Sequence, residues 1–378
     1  MIRAYKTEID FTDNQKQQFL QNIGVCRFLY NKFIDMNKES YKSGKGFISG
    51  YDFDKYVNNE LSVEFPWIKD CGSKARKKAI MSAEKAFKRF FKRLSDFPVF
   101  KSRKKQDVKL YFPKNHSSDL LIERHKIKIP TFGWIRLKEY GYLPVGAKAI
   151  CCYVSVMADR YFVSVHVEDD GFKKITKLNN VGIGIDLGIK DTAIINDGHK
   201  FKNINKTSKI RALKKRLKRE QRKLSRKNKN KKGESAKNRA KQVLKIQKIY
   251  KRIANIRTDY LRKIVIEIVK SKPSFITIED LNIKGMMKNR HLSKAISEQK
   301  LSELKTWLIW KCKQYGIELR QVDRFYPSSK ICSQCGSIKS DLKLSDRTYR
   351  CSDCGFVCDR DVNAGINLNN AREYRIAA

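Results

Sequence analysis

The sequence lacks two features that would place the protein in a membrane or outside the cell. It has no run of about 18 apolar residues, the length that a membrane-spanning helix needs. Its first residues, MIRAYKTEIDF, do not contain the apolar core of a secretory signal peptide. We therefore expect a cytoplasmic protein with reduced thiols. Outside one cluster, the cysteines show no disulfide-like spacing: Cys26, Cys71, Cys151, Cys152, Cys312 and Cys358.

Acidic residues are also scarce. The chain of 378 residues contains 83 Lys and Arg but only 39 Asp and Glu, which gives a formal net charge of +44. An excess of this size is typical of a protein whose partner is a polyanion, because Lys and Arg neutralise phosphate groups. Composition therefore favours nucleic acid as the partner, and the length is sufficient for two or three domains.

Two CxxC pairs near the C-terminus form the most specific motif. The pairs are Cys332 with Cys335 and Cys351 with Cys354, and a glycine follows each of them. Glycine suits the positive φ of a tight turn, and the interval between the pairs is that of a four-cysteine zinc ribbon. We predict a structural Zn²⁺ held by these four thiolates, which would leave no open coordination position for chemistry.

Periodicity divides the first half of the chain into strands and helices. An N-terminal strand is followed by a capping box at Thr12 and Gln15 and by an amphipathic helix, and a second helix is predicted over residues 73–94. Alternating apolar residues over 97–168 predict two β-hairpins. The predicted parts are a small β-barrel or sandwich (1–11 and 95–172), an inserted helical domain (12–94) and a linker (173–180).

The second half predicts a mixed sheet. An apolar run from Val181 contains Asp186, and two short strands follow, as in the three-strand meander of an RNase H-like sheet whose first strand carries a carboxylate at its centre. A Lys- and Arg-rich helical hairpin, broken near 228–233, is expected to pack its apolar stripe on this sheet. A buried strand, a helix over 292–316, another strand and a final helix complete the pattern. The predicted parts are an RNase H-like α/β domain (181–328 and 356–378) and the zinc ribbon that interrupts it (329–355).

Three acids fall at key places in this predicted domain: Asp186, Glu279 and Asp361. Glu279 lies among apolar strand residues, where an unpaired carboxylate is costly. Carboxylates that gather in the fold could hold two Mg²⁺ ions, which is the chemistry of phosphodiester hydrolysis. A turn-forming role for Asp186 and a helix N-cap role for Asp361 are the alternatives, and Asp359 is an alternative third ligand.

The basic helices are candidates for contact with nucleic acid. Their positive residues are too numerous and evenly spread to read single bases, so we expect contacts with phosphate groups. A solvated charged face is the alternative. The candidate residues on the hairpin are Lys214, Lys215, Arg216, Arg219, Arg222, Lys223 and Arg226, and those on the helix over 73–94 are Lys74, Lys77 and Lys78.

The motifs GIDLG, ITIEDLNIKGM, the two CxxC pairs and DRDVNAGIN occur in this order, with the basic segment KNRAKQVLKIQKIYKRIANIRTDYLRK after the first. Together they resemble the TnpB family, the transposon-encoded relatives of type V CRISPR effector nucleases. The resemblance spans the whole chain and is strongest from Val181 to Asn370. It implies a wedge-like β-barrel, an inserted helical recognition domain and a RuvC nuclease domain interrupted by a zinc ribbon, with Asp186, Glu279 and Asp361 as the RuvC acids.

The resemblance also implies an activity and partners. The family cuts double-stranded DNA at a site matched by a guide RNA from the transposon end, next to a short transposon-adjacent motif. We expect one protein per guide RNA, acting at the nucleoid of a bacterium or archaeon, with Tyr51 and the basic helix after it facing the motif. Three other functions are open: an inactive RNA-guided repressor, an autonomous RNase H-like transposase or resolvase, and a zinc-ribbon transcription factor.

Overall fold

The computed structural model describes residues 2–103, 109–168, 177–229, 236–343 and 345–377. The chain divides into two compact units, Met1–Gly171 and Phe172–Ala378, each with its own hydrophobic core. The first half of the predicted linker, residues 173–176, lies outside the described residues. Within the described ranges, no helix is long and apolar enough to cross a membrane.

The first unit is built on an antiparallel sheet of six strands in the order β2-β5-β6-β1-β4-β3. The strands are β1 (Ile2–Asp10), β2 (Lys109–Pro113), β3 (Lys126–Ile129), β4 (Gly133–Leu137), β5 (Ala149–Met157) and β6 (Arg160–Glu168). The predicted N-terminal strand is confirmed, and it pairs with β6 and β4. Both predicted hairpins are confirmed as β3–β4 and β5–β6. Because β2 and β3 are the edges of this strand order, closure into a barrel is not confirmed.

The helices of the first unit are inserted between β1 and β2, as predicted. They are α1 (Asp13–Lys42), α2 (Gly50–Tyr56), α3 (Ser62–Glu64) and α4 (Ser73–Phe91), with a π turn at Val57–Leu61 and a 3-10 turn at Pro66–Asp70. The capping box of α1 is confirmed, since the Gln15 backbone N–H donates to Thr12 Oγ1 at 3.3 Å and the Thr12 N–H donates to Gln15 Oε1 at 3.1 Å. Phe19, Phe33 and Phe87 are buried where α1 and α4 join the core of the sheet.

The second unit contains a mixed sheet in the order β14-β11-β10-β7-β8-β9 and a separate ladder of β12 and β13. The strands are β7 (Ile183–Asp186), β8 (Asp191–Ile195), β9 (Lys200–Lys202), β10 (Phe275–Glu279), β11 (Glu318–Val322), β12 (Thr348–Arg350), β13 (Val357–Asp359) and β14 (Arg375–Ile376). The antiparallel meander β7–β8–β9 is confirmed. Strands β7, β10 and β11 are parallel. Asp186 is the last residue of β7 and not its centre, so its carboxylate lies at the edge where β7 and β10 both end.

The helices of the second unit include the predicted basic hairpin. They are α5 (Ser208–Lys229), α6 (Ala236–Lys270), α7 (Ile283–Met286), α8 (Ser293–Gln299), α9 (Leu301–Tyr315) and α10 (Arg360–Asn369), with a 3-10 turn at Ile204–Lys206. Only the last part of α6, including Leu261 and Ile264, packs in the sheet core. The earlier part, including Ile246 and Ile253, packs against Leu213 of α5 in a separate cluster. A helix of 35 residues is about 50 Å long, whereas a five-residue strand spans about 17 Å, so most of α6 cannot lie on the sheet.

The helix predicted over 292–316 is interrupted. Lys300 has left-handed backbone angles, φ 55° and ψ 39°, and separates α8 from α9. At this break the Lys300 amine donates to Thr258 Oγ1 at 2.9 Å and pairs with Glu303, while Gln299 Nε2 donates to the Ile189 carbonyl at 3.0 Å. These long-range contacts fix a turn that local periodicity does not reveal.

Helix α10 lies directly against β7 through glycine. A Cβ added to Gly184 would be 2.0 Å from the Gly365 carbonyl oxygen and 2.5 Å from the Asn369 backbone nitrogen. Real Cβ atoms do not approach backbone this closely, so the two backbones touch where Gly184 has no side chain. This contact fixes the position of the N-terminus of α10 relative to the end of β7.

Candidate active site and cysteine cluster

The fold gathers acids from three segments that are distant in sequence. Asp186 ends β7 and Glu279 ends β10, and these strands are parallel neighbours with Ile185 opposite Ile278. Asp361 lies in the first turn of α10, which packs on β7. Strand pairing and the packing of α10 on β7 thus bring the three carboxylates to the same end of the sheet, although among the described residues their oxygens do not all lie within 4.8 Å of one another.

The environment of Asp186 disfavours an uncompensated negative charge. Burial raises the pKa of its carboxyl, and the charges of Glu279 and Asp361 raise it further, to about 8, although Arg360 acts in the opposite direction. Burial also raises the pKa of Glu279. Grouped carboxylates with raised pKa values fit a site for divalent cations that prefer oxygen ligands, because such ions neutralise the repulsion.

Glu279 has a hydrogen-bond partner that the sequence analysis missed. Ser328 Oγ donates to Glu279 Oε1, which acts against the rise in the pKa of Glu279. Ser328 is buried, and its carbonyl accepts a hydrogen bond from Asn367 Nδ2 at 2.7 Å. The serine therefore connects β10 to α10. Its only signal in the sequence is its place in the YPSSK segment just before the first CxxC pair.

The two acids at the start of α10 have different roles. Asp359 is the N-cap, since its Oδ1 accepts from the backbone N–H of Asp361 at 2.9 Å, and its Oδ2 pairs with Lys200 Nζ at 2.5 Å. Asp361 Oδ1 accepts from the Arg360 guanidinium at 2.8 Å, and Arg347 Nη1 lies 3.8 Å from its Oδ2. Capping and Lys200 thus occupy the two oxygens of Asp359, whereas two arginines contact those of Asp361.

The four cysteines form a compact cluster. In the described part of the chain, they are the one group of potential metal-binding side chains whose ligand atoms all lie within 4.8 Å of one another. The Sγ atoms of Cys332 and Cys354 are 3.6 Å apart, as are those of Cys335 and Cys351. A tetrahedral metal–thiolate site with bonds of about 2.3 Å has sulfurs about 3.8 Å apart. The cluster therefore fits a four-sulfur metal site.

The turns of this cluster are held by glycine and by α10. The glycines after the two pairs, Gly336 and Gly355, have φ of 82° and 71°, as predicted for tight turns. Asn363 of α10 is fully buried; its Nδ2 donates to the Ile331 carbonyl at 2.7 Å, and its Oδ1 accepts from the Ser333 N–H at 3.0 Å. One helix thus supports both the cysteine cluster and the third acid.

The predicted phosphate-binding residues of the hairpin lie on α5. Lys214 differs from the others, because its amine pairs with Glu298 Oε2 at 2.5 Å and is partly buried. Lys223 is exposed and pairs with Glu220 at 3.0 Å. The remaining candidates are exposed: Lys215, Arg216, Arg219, Arg222 and Arg226.

The candidate residues of the first unit also lie on its surface. Tyr51 is 63% exposed, and Lys55 Nζ lies 4.7 Å from the centre of its ring. Lys78 Nζ is 5.0 Å from the centre of the Tyr111 ring. Lys74, Lys77 and Lys78 are all exposed on α4.

Family models match three segments of the chain. They are described as "Cas12f1-like, TNB domain" (302–368), "Probable transposase" (162–290) and "Helix-turn-helix domain" (1–46). A protein of Streptomyces pristinaespiralis named "Putative RNA-guided DNA endonuclease" is 31% identical, covering 97% of this chain and 88% of that protein. "Putative RNA-guided DNA endonuclease InsQ" of Escherichia coli K12 is 28% identical over 97% and 91% of the two chains.

Among solved structures, a Cas12f1–sgRNA–target DNA complex contains a chain of the same fold. It aligns with a TM-score of 0.62 at 18% sequence identity, covering 97% of this chain and 84% of that chain. These matches place the protein among transposon-encoded RNA-guided nucleases. The chain belongs to the TnpB family, which is related to the type V CRISPR effectors.

Proposed function

We propose that the protein is an RNA-guided DNA endonuclease that makes a double-strand break by hydrolysing phosphodiester bonds at Asp186, Glu279 and Asp361. The observation that carries this proposal is the convergence of these acids at one sheet edge, where the pKa of Asp186 is raised to about 8. Raised pKa values in clustered carboxylates are typical of catalytic sites. The relatives named as RNA-guided DNA endonucleases support the same substrate.

The acids would hold two Mg²⁺ ions, and the cysteine cluster would hold one structural Zn²⁺. When bound, the Mg²⁺ ions supply an activated water and stabilise the leaving 3′ oxygen of the cut strand. Ser328 orients Glu279 through its hydrogen bond. Arg360 and Arg347, at the two oxygens of Asp361, place positive charge where a phosphate group must lie, and such preorganised charge favours the transition state.

The other parts of the chain would bind the nucleic acids. We assign a wedge-like β-barrel to residues 1–11 and 95–172, a recognition domain to 12–94 and a RuvC-like domain to 181–328 and 356–378. The exposed basic residues of α5 would contact phosphate groups of one guide RNA per protein or of its DNA duplex. Tyr51 and the exposed lysines of α4 would contact the target duplex beside the guide-matched site.

Exchange of the guide tests this proposal. The protein is purified with its RNA, the RNA is sequenced, and a second complex is made with a replaced 3′ guide segment. This second complex should cut DNA that matches the new segment, provided that the adjacent motif is present, and should leave the original target intact.

Two outcomes would contradict the proposal. Guided binding without cutting by the wild-type complex would indicate a repressor. Site-specific cutting by nuclease-treated, RNA-free protein would favour an autonomous transposase, which the family description of residues 162–290 names.

A further inference from the structure

The loop that joins β11 to the cysteine cluster presents an aromatic ring to solvent. Phe325 is 86% exposed, whereas phenylalanine is usually buried. Its backbone N–H donates to Asp323 Oδ1 at 2.8 Å, and the Tyr326 N–H donates to the Asp323 carbonyl at 3.2 Å. Tyr326 Oη donates to the Asn367 carbonyl of α10 at 3.1 Å. A hydrogen-bonded turn therefore holds the ring in this exposed position.

Positively charged side chains lie beside this turn. Arg375 Nη2 is 2.6 Å and Arg324 Nη2 is 3.4 Å from Asp280 Oδ2, and Lys305 Nζ is 3.8 Å from Asp280 Oδ1. One carboxylate thus gathers three cations, beside a turn that contains a second acid, Asp323. The side chains of Arg324 and Arg375 are 49% and 64% exposed, so both can reach a ligand in solvent.

The turn is linked to the acid site through Ser328, three residues after Phe325, which donates to the Glu279 carboxylate. Asp280 follows Glu279 in the chain but faces the other side of the sheet, where it bonds Gln321 of β11, so Arg324 and Arg375 lie at the same strand end as the acids. An exposed ring beside exposed guanidinium groups is the combination that binds single-stranded nucleic acid, because rings stack on bases and cations bind phosphates.

We propose that Phe325 stacks on an unpaired base of the DNA strand that enters the acid site, while Arg324 and Arg375 hold the adjoining phosphates. This inference rests on the proposed function, since it takes the three acids as the place where DNA is cut. Bases within a duplex are covered by their neighbours on both faces, so the stacked base belongs to a separated strand. That strand is DNA and not the guide RNA, because its phosphodiester must reach Glu279.

Crosslinking tests which strand the ring contacts. Phe325→p-benzoylphenylalanine is introduced beside Asp186→Ala, which keeps the DNA uncut, and the complex is assembled with differently labelled guide RNA and DNA strands. Irradiation should attach position 325 to a DNA strand. The matched control is the same substitution at Ile338, which is 64% exposed but lies in the cysteine segment. Attachment to the RNA, or a DNA yield equal to that of the Ile338 control, would overturn the inference.

Cleavage kinetics provide the second test. Phe325→Ala should lower the single-turnover rate by about fivefold or more, the effect of losing one base–aromatic stack, whereas Phe325→Trp should retain most of it. Melting temperature and zinc content should not change, because the ring is exposed; a parallel fall in either would make the role structural and overturn the inference. Failure of the wild-type complex to cut guide-matched DNA would overturn the proposed function, whereas an unchanged rate in Phe325→Ala beside an active wild type overturns the stacking alone.

Discussion

The cysteine cluster and the acid site lie in the same unit but are assembled in opposite ways. Two short turns bring the four sulfurs together, with neighbours as close as 3.6 Å. The acids come from β7, β10 and α10, and their mutual repulsion contributes to the raised pKa of Asp186. The first site is a product of local turns and would add stability on binding a metal ion. The second is imposed by the whole fold at an electrostatic cost, which is typical of a site built for chemistry.

Replacement of one acid should have the largest effect on cleavage, and it should leave the cysteine cluster unchanged. We expect Asp186→Ala to lower guided DNA cleavage by more than about 100-fold, since even the loss of a residue that only orients a metal ligand costs 10- to 100-fold. Guided DNA binding, measured by gel shift, should be retained because the acid does not contact phosphate. Asp197→Ala, at an exposed turn of the same meander, should cut normally. Cleavage by Asp186→Ala at the wild-type rate would show that Asp186 is not needed for the reaction.

The same assay separates the two acids at α10. Asp361→Asn should stop cleavage, whereas Asp359→Asn should retain it, because asparagine also caps a helix. Melting curves of both variants check that α10 remains folded. If Asp359→Asn is inactive and Asp361→Asn is active, Asp359 is the third acid of the site and Asp361 is not.

Loss of one thiolate should break the cysteine cluster. Cys351→Ser is expected to reduce bound zinc below one ion per chain and to lower the melting temperature, because metal binding contributes directly to the folding of such sites. Zinc is measured by atomic emission. Cys358→Ser is the matched control, since Cys358 is close in sequence but outside the cluster. Full zinc occupancy and unchanged melting in Cys351→Ser would show that the cluster is not a structural metal site.

A smaller effect is expected at the residue that positions Glu279. Ser328→Ala removes the hydrogen bond to the carboxylate and should lower the cleavage rate by about tenfold, the lower end of the range for orienting partners of metal ligands. Ser328→Thr keeps the hydroxyl and is the conservative comparison. Equal rates for wild type and Ser328→Ala, at equal zinc content, would show that Glu279 needs no such support.

The smallest expected effect is on the stability of the fold, which the buried carboxyl of Asp186 lowers when it is ionised. With a pKa of about 8 in the folded chain against an ordinary 3.8, the folded state keeps a proton that the unfolded chain releases between these values. Stability should therefore fall as pH rises from about 4 to about 8. Asp186→Asn cannot lose this proton, so without added Mg²⁺ it should melt about 2 °C or more above wild type at pH 8. The difference should shrink toward pH 5; a constant difference would contradict the electrostatic explanation.

The contrast between the sites also explains what sequence reasoning could predict. Cys332 to Cys354 follow a local spacing rule, so their cluster was predictable residue by residue. Asp186 and Glu279 could be selected as candidates because carboxylates amid apolar strand residues are unusual, but the position of Asp186 at the end of β7 and its proximity to Glu279 depend on the parallel pairing of β7 with β10. The hydrogen bond of Ser328 and the helix break at Lys300 depend on partners that are distant in sequence. Hydrophobic periodicity, which is a local property of the sequence, does not predict such contacts. The extent of the hairpin beyond the sheet likewise depends on the packing of α6 against apolar residues of α5, including Leu213.

The close contact between Gly184 and Gly365 restricts which amino acids residue 184 can be replaced by. The cysteine segment separates β11 from α10, so chain connectivity alone does not hold the helix on the sheet. Even the single methyl group of alanine at residue 184 would overlap the helix backbone, at 2.0 Å from a carbonyl oxygen. A saturation library at this codon should therefore retain glycine almost alone, although the residue contributes no functional group, whereas the surface of the intervening segment can diversify.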